Sequence, residues 1–370
     1  MATTRLLRPS ANCLRALKQP QRYYSVSPST TSQPSTSPFS PRHLLSINDL
    51  TSQELSTLVR NASKYKSSVK SGSIPAHLKN SLTAQTLAIM FTKRSTRTRV
   101  STEGAIAMMG GHPMFLGSQD IQLGVNESLY DTSVVISSMV SAMVARVNAH
   151  DDVANLAKHS SVPVINALSD LYHPLQTIAD FQTILEAFPS TSSSNTNPAS
   201  LGLEGLKIAW VGDANNVLYD LAIGAGKLGV QVSVATPKGY QIPPFMRDLI
   251  RSSSPKGKPF LTETTVPEEA VKDADILVTD TWVSMGQEAE AKQKMKAFEG
   301  FQVTKELAQR GGAKEGWKFM HCLPRHPEEV SDEVFYSPAS LVFQEAENRL
   351  WAAVSAIESF VVNKGNIKAA

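Results

Sequence analysis

Apolar and polar positions along this chain fall into blocks. Beyond residue 80, short apolar runs recur: "LTAQTLAIMF" (82–91), "HPMFLG", "SVVISSMVSAMVARV", "VPVINAL", "LKIAWVGD", "VQVSVATPKG", "ADILVTD" and "WKFMHCLP". Stretches with helical apolar spacing separate them. Short strands alternating with helices predict parallel α/β sheets, with functional groups at the strands' carboxyl ends. Ahead of the first run, "HLLSINDLTSQELSTLVRNASKYK" predicts a helix with Thr51 as N-cap and Glu54 closing a capping box. The terminal "ENRLWAAVSAIESFVV" predicts a long amphipathic helix.

The polar stretch "PSTSSSNTNPAS" (189–200) precedes the strongest strand and marks the boundary between two α/β units. A length of 370 residues with 41% apolar content allows two cores of ordinary size. The longest apolar segment, "VVISSMVSAMVARV" (134–147), is broken by three serines and carries Arg146. A membrane span needs about 18 apolar residues, so none is expected.

Charge changes the picture at the amino end. Residues 1–24 contain Arg5, Arg8, Arg15, Lys18 and Arg22, and the first acidic residue is Asp49. An Arg-rich, acid-free segment of this kind has the character of a mitochondrial transit peptide, and "RYYS" suggests cleavage before Ser25. Its removal takes the formal net charge from +3 to about −2, so the basic balance does not imply a nucleic-acid partner. Residues 25–41 are Ser, Thr or Pro at 14 of 17 positions, which predicts a disordered linker over 25–42. Cys13 lies in the leader, leaving Cys322 alone in the mature chain, either as a buried filler or as a functional thiol.

The first strand runs into "FTKRSTRTR" (91–99), with Lys93, Arg94, Arg97 and Arg99 where a helix begins. Each cation at a helix N-terminus is disfavoured by roughly 0.3–1 kcal/mol. A bound anion offsets that cost, and Ser95, Thr96 and Thr98 add hydroxyl donors suited to phosphate. The competing reading is a solvated helix face with Arg99 paired to Glu103. "GAGKLG" (224–229) matches a dinucleotide fingerprint in letters only. It precedes a strand instead of following one, which places it at a helix C-terminus and argues against a dinucleotide oxidoreductase. "HPLQ" (173–176) opens a helix after a strand, "DTWVSMG" (280–286) puts Asp280 at a strand end, and "HCLPRHP" (321–327) does the same for Cys322. Together these describe a cleft rich in anion donors and faced by a carboxylate and a thiol.

Taken in order, "STRTR", "HPLQ", "DTWVSMGQE", "HCLPR" and "EAENR" closely resemble the ornithine carbamoyltransferases, from about residue 43 to 362. The resemblance implies an α/β fold of two parallel-sheet domains linked by helices, the C-terminal helix returning to the first domain. Residues 43–182 would bind carbamoyl phosphate, 183–342 would bind ornithine, and 343–370 would pack back. It also implies a homotrimer with active sites between subunits, small-molecule substrates, no membrane partner, and neither metal nor organic cofactor, while the expected mitochondrial matrix location rests on residues 1–24 alone. Ser95, Thr96, Arg97 and Thr98 match the phosphate cradle. Arg146, His173, Gln176 and Arg349 match groups around the carbamoyl phosphate, joined by the backbone at Cys322 and Leu323. Gln122 matches a position that reaches a neighbouring subunit's site. Asn216 and Met285 match the ornithine α-carboxylate site, and Asp280 and Ser284 the α-ammonium site. Asp280 and Cys322 border the attacking amine, which with Arg146 and His173 makes them the catalytic set. The rival expectations are another acceptor (aspartate, putrescine or N-acetylornithine) and a catalytically silent scaffold of the same fold.

Overall fold

The computed structural model describes residues 40–118, 127–189, 197–255, 258–283 and 291–370, all within one compact unit. The leader at 1–24, most of the 25–42 linker, Gln122, Ser284 and Met285 lie outside the described residues.

Two parallel sheets carry the fold. The first contains β1 (Thr86–Phe91), β2 (His112–Leu116), β3 (Ala142–Arg146) and β4 (Val164–Leu168), in the order β2-β1-β3-β4. The second contains β5 (Lys207–Val211), β6 (Gln231–Ala235), β7 (Leu261–Thr264), β8 (Ile276–Val278) and β9 (Lys318–Met320), in the order β7-β6-β5-β8-β9. Every pairing is parallel, so crossover helices cover the faces and the central strands are buried beyond their first residues. That burial is why β1, β3 and β5 read as continuous apolar runs. β7, "LTET", escapes the apolar pattern because it is a half-exposed edge strand.

In chain order the helices are α1 (Ser52–Lys70), α2 (Thr96–Met108), α3 (Leu129–Ser137), α4 (His150–His159), α5 (Pro174–Ala187), α6 (Asn216–Leu228), α7 (Pro244–Ser252) and α8 (Pro267–Val271). They continue with α9 (Ala291–Ala297), α10 (Lys305–Gly311), α11 (Asp332–Phe335) and α12 (Val342–Ile357). The expected capping box forms: Thr51 Oγ1 accepts from Glu54 N–H, and Glu54 accepts from Thr51 N–H at 2.8 Å. The apolar segment at 133–147, expected to behave as one run, is divided into α3 and β3. Its serines account for the division: Ser133 Oγ donates to Leu156 O and Ser138 Oγ to Val135 O, each at 2.7 Å, tying the helix down and ending it. α12 packs on α1, α2 and α5, so the end of the chain returns to the first sheet's helices.

"GAGKLG" forms the end of α6, where Gly229 at φ 71° stops the helix. Gly224 serves close packing: a Cβ there would lie 2.6 Å from Phe181 Cε2 of α5. This joins the helix layers of the two sheets through one core containing Phe181, Leu218 and Trp210.

Leu44 extends the edge beside β4, and His43 Nδ1 accepts from Val164 N–H at 3.0 Å. Burial lowers the imidazole pKa to about 4. The unfolded chain therefore takes up a proton below 6.5 that the folded chain refuses, so this site's stabilisation is full above 6.5 and declines as pH falls toward 4. From pH 7 to 5 the decline is on the order of 2 kcal/mol. Denaturant titrations at both pH values should show His43→Gln losing less stability over this interval than the parent; equal losses would refute the assignment.

Candidate functional site

Each sheet reverses its strand order at one point, between β1 and β3 in the first and between β5 and β8 in the second. Successive crossovers leave those points in opposite directions, which opens a crevice beyond the strands' carboxyl ends. Ser95–Thr98 and Arg146 lie at the first, and Asn215, Asn216 and Asp280 at the second. Residues after β4 and β9 supply His173 and Cys322. The halves meet directly: Asn216 Nδ2 donates to Ser169 O at 2.6 Å, and His173 N–H donates to Asp220 Oδ2 of α6 at 2.7 Å.

Ser95 is the N-cap of α2, its Oγ accepting from Thr98 N–H at 3.3 Å and donating to Thr98 Oγ1 at 3.0 Å. Thr98 is buried and also accepts from Arg349 Nη2 at 3.5 Å. The four cations of the basic run part company here. Arg99 pairs with Glu103 at 2.8 Å and stacks on Phe115, 3.7 Å from the ring centroid, so it is a helix-face residue. Arg97 is half-buried and forms no ion pair among the described residues.

Behind the α2 terminus lie Arg146, His173 and Arg349, each less than a tenth exposed. Arg146 Nε, Arg349 Nε and His173 Nδ1 are buried without hydrogen-bond partners. Buried polar atoms are ordinarily paired, so three left unpartnered on side chains close enough to shift one another's titration make this a candidate site for a polar ligand. Burial, then repulsion by Arg349 and more weakly by Arg97, lower the Arg146 pKa to about 10. Burial also lowers Arg349 to about 10, with Arg97 adding to the depression and Asp180 opposing it. His173 is held well below its ordinary value by burial and by Arg349, Arg146 and Arg97, so its ring is neutral at pH 7. The region is electrostatically unfavourable by itself and is relieved by an anion.

Across the crevice, Asp280 accepts from Cys322 Sγ–H at 3.2 Å and from Asn215 Nδ2–H at 2.7 Å. Burial, then Asp280 and Glu345, push the Cys322 thiol well above its usual range, so it stays a thiol and is no thiolate nucleophile. Asn215 also caps α6, accepting from Val217 N–H and Leu218 N–H. With one N–H committed to Ser169 O, Asn216 retains a second. Leu323 sits at φ 62°, a strained conformation for Leu, where its N–H donates to His321 Nδ1 at 2.9 Å. Asp280, His321 and Cys322 bring metal-type donor atoms within 4.8 Å of one another. However, both His321 nitrogens already hold bonds, to Leu323 N–H and, at 3.3 Å, to Glu329.

Sequence reasoning missed Asn215, Asp220, Asp180 and Glu345. Adjacent asparagines in "GDANN" cannot be told apart by letter. Asp180 stands four residues after Gln176, a spacing that pairs side chains on a helix and was available as a signal. Asp220 was not findable, because its bonds to Ser46 Oγ, Ile47 N–H and His173 N–H all cross between distant segments.

Family descriptions match in order: the carbamoyl-P binding domain of aspartate/ornithine carbamoyltransferase over residues 42–186, and its Asp/Orn binding domain over 204–360. A mitochondrial ornithine carbamoyltransferase of Emericella nidulans is 69% identical over 354 residues, covering 95% of this chain and 97% of its own length. The crystal structure of a mitochondrial ornithine carbamoyltransferase from Coccidioides immitis superposes with TM-score 0.82 at 67% identity, over 89% of this chain and all of that one. The ornithine carbamoyltransferase from Pyrococcus furiosus does so with TM-score 0.79 at 42% identity, over 88% of this chain and 98% of that one. On two matched domains, a shared fold and this level of identity, the chain belongs to the aspartate/ornithine carbamoyltransferase family.

Proposed function

We propose that the protein transfers the carbamoyl group of carbamoyl phosphate to the side-chain amine of L-ornithine, releasing L-citrulline and phosphate, in the mitochondrial matrix and as a homotrimer with shared active sites. Three unpartnered buried nitrogens, on Arg146, His173 and Arg349, with Arg97 nearby, support the carbamoyl phosphate half of this reading. Residues 43–182 hold carbamoyl phosphate and 183–342 hold ornithine, with Gln122 reaching the site of a neighbouring subunit.

Ser95, Thr96, Arg97 and Thr98 take the phosphate dianion at the α2 terminus. Arg146 and neutral His173 donate to the carbonyl oxygen as it gains charge, and Gln176 receives the carbamoyl amide. Asp280 faces the ornithine ammonium, with Asn216, Ser284 and the backbone at Met285 completing the amino-acid end. The side-chain amine, having lost its proton, attacks the carbonyl carbon, so that a C–N bond forms and a tetrahedral oxyanion develops. The oxyanion collapses, the C–O bond to phosphate breaks, phosphate leaves with the electron pair, and the nitrogen, cationic after its attack, gives up its extra proton to a phosphate oxygen. Orientation and preorganised charge supply the acceleration, and the chemistry requires no electron transfer.

The test is a transfer assay on the purified protein with carbamoyl phosphate and four acceptors: ornithine, aspartate, putrescine and N-acetylornithine. Citrulline formed from ornithine alone is the expected result. Activity with another acceptor would keep the phosphate site and overturn the roles of Asn216, Asp280 and Ser284. A folded protein that binds carbamoyl phosphate without turnover would favour a silent scaffold.

A further inference from the structure

Gln176 lies in the first turn of α5, and its amide is held at both ends. Nε2 donates to Asp180 Oδ1 at 2.7 Å and to Glu345 Oε1 at 3.0 Å, while Oε1 accepts from Arg349 Nη1 at 2.6 Å. All four side chains are buried. An amide can in principle present either end. Turned around, this one would set its oxygen against two carboxyl oxygens and its NH2 against a guanidinium. Glu345 carries a further bond: Oε2 accepts from His321 N–H at 2.9 Å, one residue before Cys322 on the other sheet. Asp180 and Glu345 also bond to each other, and burial raises both carboxyls, Asp180 to about 7 and Glu345 well above its usual range. One proton therefore belongs to the pair at neutral pH.

We propose that Asp180 and Glu345 are positioning residues that fix which end of the Gln176 amide faces the donor substrate, and thereby make the site select a carbamoyl group over an acyl group of the same shape. The inference rests on the reading of Gln176 as part of the donor subsite. A carbamoyl group carries –NH2 where an acetyl group carries –CH3. Gln176 Oε1, on the side of Arg349, has a second lone pair to accept a carbamoyl N–H. A methyl leaves that second lone pair without a donor in a buried site, and a reversed amide would oppose N–H to N–H. Hydrogen-bond recognition of this kind discriminates far better than shape.

Two isosteric replacements in the full-length protein separate this from a packing role. At Asp180 it is Oδ1 that accepts from Gln176, so Asn in Asp180→Asn keeps that bond and turns its NH2 toward Glu345. At Glu345 both oxygens accept N–H groups, so Gln in Glu345→Gln must turn its NH2 against either Gln176 or His321. The readouts are KM for carbamoyl phosphate and the inhibition constant of acetyl phosphate. Glu345→Gln is expected to raise the first by about tenfold and leave the second within about twofold. Asp180→Asn is expected to keep both within about threefold. Equal effects of the two replacements, or parallel changes of both constants in Glu345→Gln, would overturn the proposal. Should Glu345→Gln not fold, Asp180→Leu, which removes the shorter acceptor bond, must weaken carbamoyl phosphate alone. A parent protein that fails to discriminate the two phosphates would remove the Gln176 reading and this proposal with it. A discriminating parent with an equally discriminating Glu345→Gln overturns the proposal alone.

Discussion

Arg97→Ala is expected to lower kcat/KM for carbamoyl phosphate by roughly 10²–10³-fold, the usual cost of removing a preorganised charge from a developing anion. The same substitution should leave the fold as stable as before or slightly more so, by up to about 1 kcal/mol. Three features require that combination. Arg97 stands in the first turn of α2, where a cation opposes the helix dipole, and no described acidic group answers it. Its charge also adds to the repulsion that depresses Arg146, His173 and Arg349. A residue that costs the apo protein stability is held there by what it binds. Steady-state kinetics with phosphate release, paired with denaturant melts, checks both halves. Normal turnover would sink the phosphate cradle, and a large loss of stability would make Arg97 structural.

Asp280→Asn should reduce kcat/KM for ornithine by about 10²–10³-fold while carbamoyl phosphate affinity stays within about threefold. Both Asp280 oxygens accept hydrogen bonds, from Cys322 Sγ–H and Asn215 Nδ2–H. They fix a single negative charge at the rim of a cation-rich site, opposite the place where a cationic acceptor must enter. Asn removes the charge and turns an NH2 toward one of those donors. The Cys322 thiol reports on the same change: because Asp280 adds to the burial that raises it, its alkylation should begin at lower pH in the variant. Unchanged ornithine kinetics with a shifted thiol profile would confine Asp280 to a local structural role.

Legibility from sequence followed the range of the interactions involved. The capping box at Thr51 and Glu54, the alternation of strands and helices, and the placement of "GAGKLG" at the end of α6 rest on neighbours a few residues apart. They could be read from letters because the governing geometry is local. β7 was not read, since an edge strand half in water need not be apolar. Nor was the division of the 133–147 run, where serines bonding to carbonyls overrode hydropathy.

What the sequence by itself determined was the fold class, the positive charge at the end of β1, and the placing of Asp280 and Cys322 at strand ends. Periodicity and strand-to-helix turns force those outcomes wherever the rest of the chain goes. Only the tertiary structure decided that Arg97 and not Arg99 is free for a ligand, because Phe115 and Glu103 claim the latter. It alone brought Gln176 to Glu345 and Arg349, which lie 169 and 173 residues further along the chain, around polar atoms left unpartnered. The reason is physical: a parallel sheet collects its strand ends at one edge, and a buried charge is settled by whichever distant groups the fold delivers there.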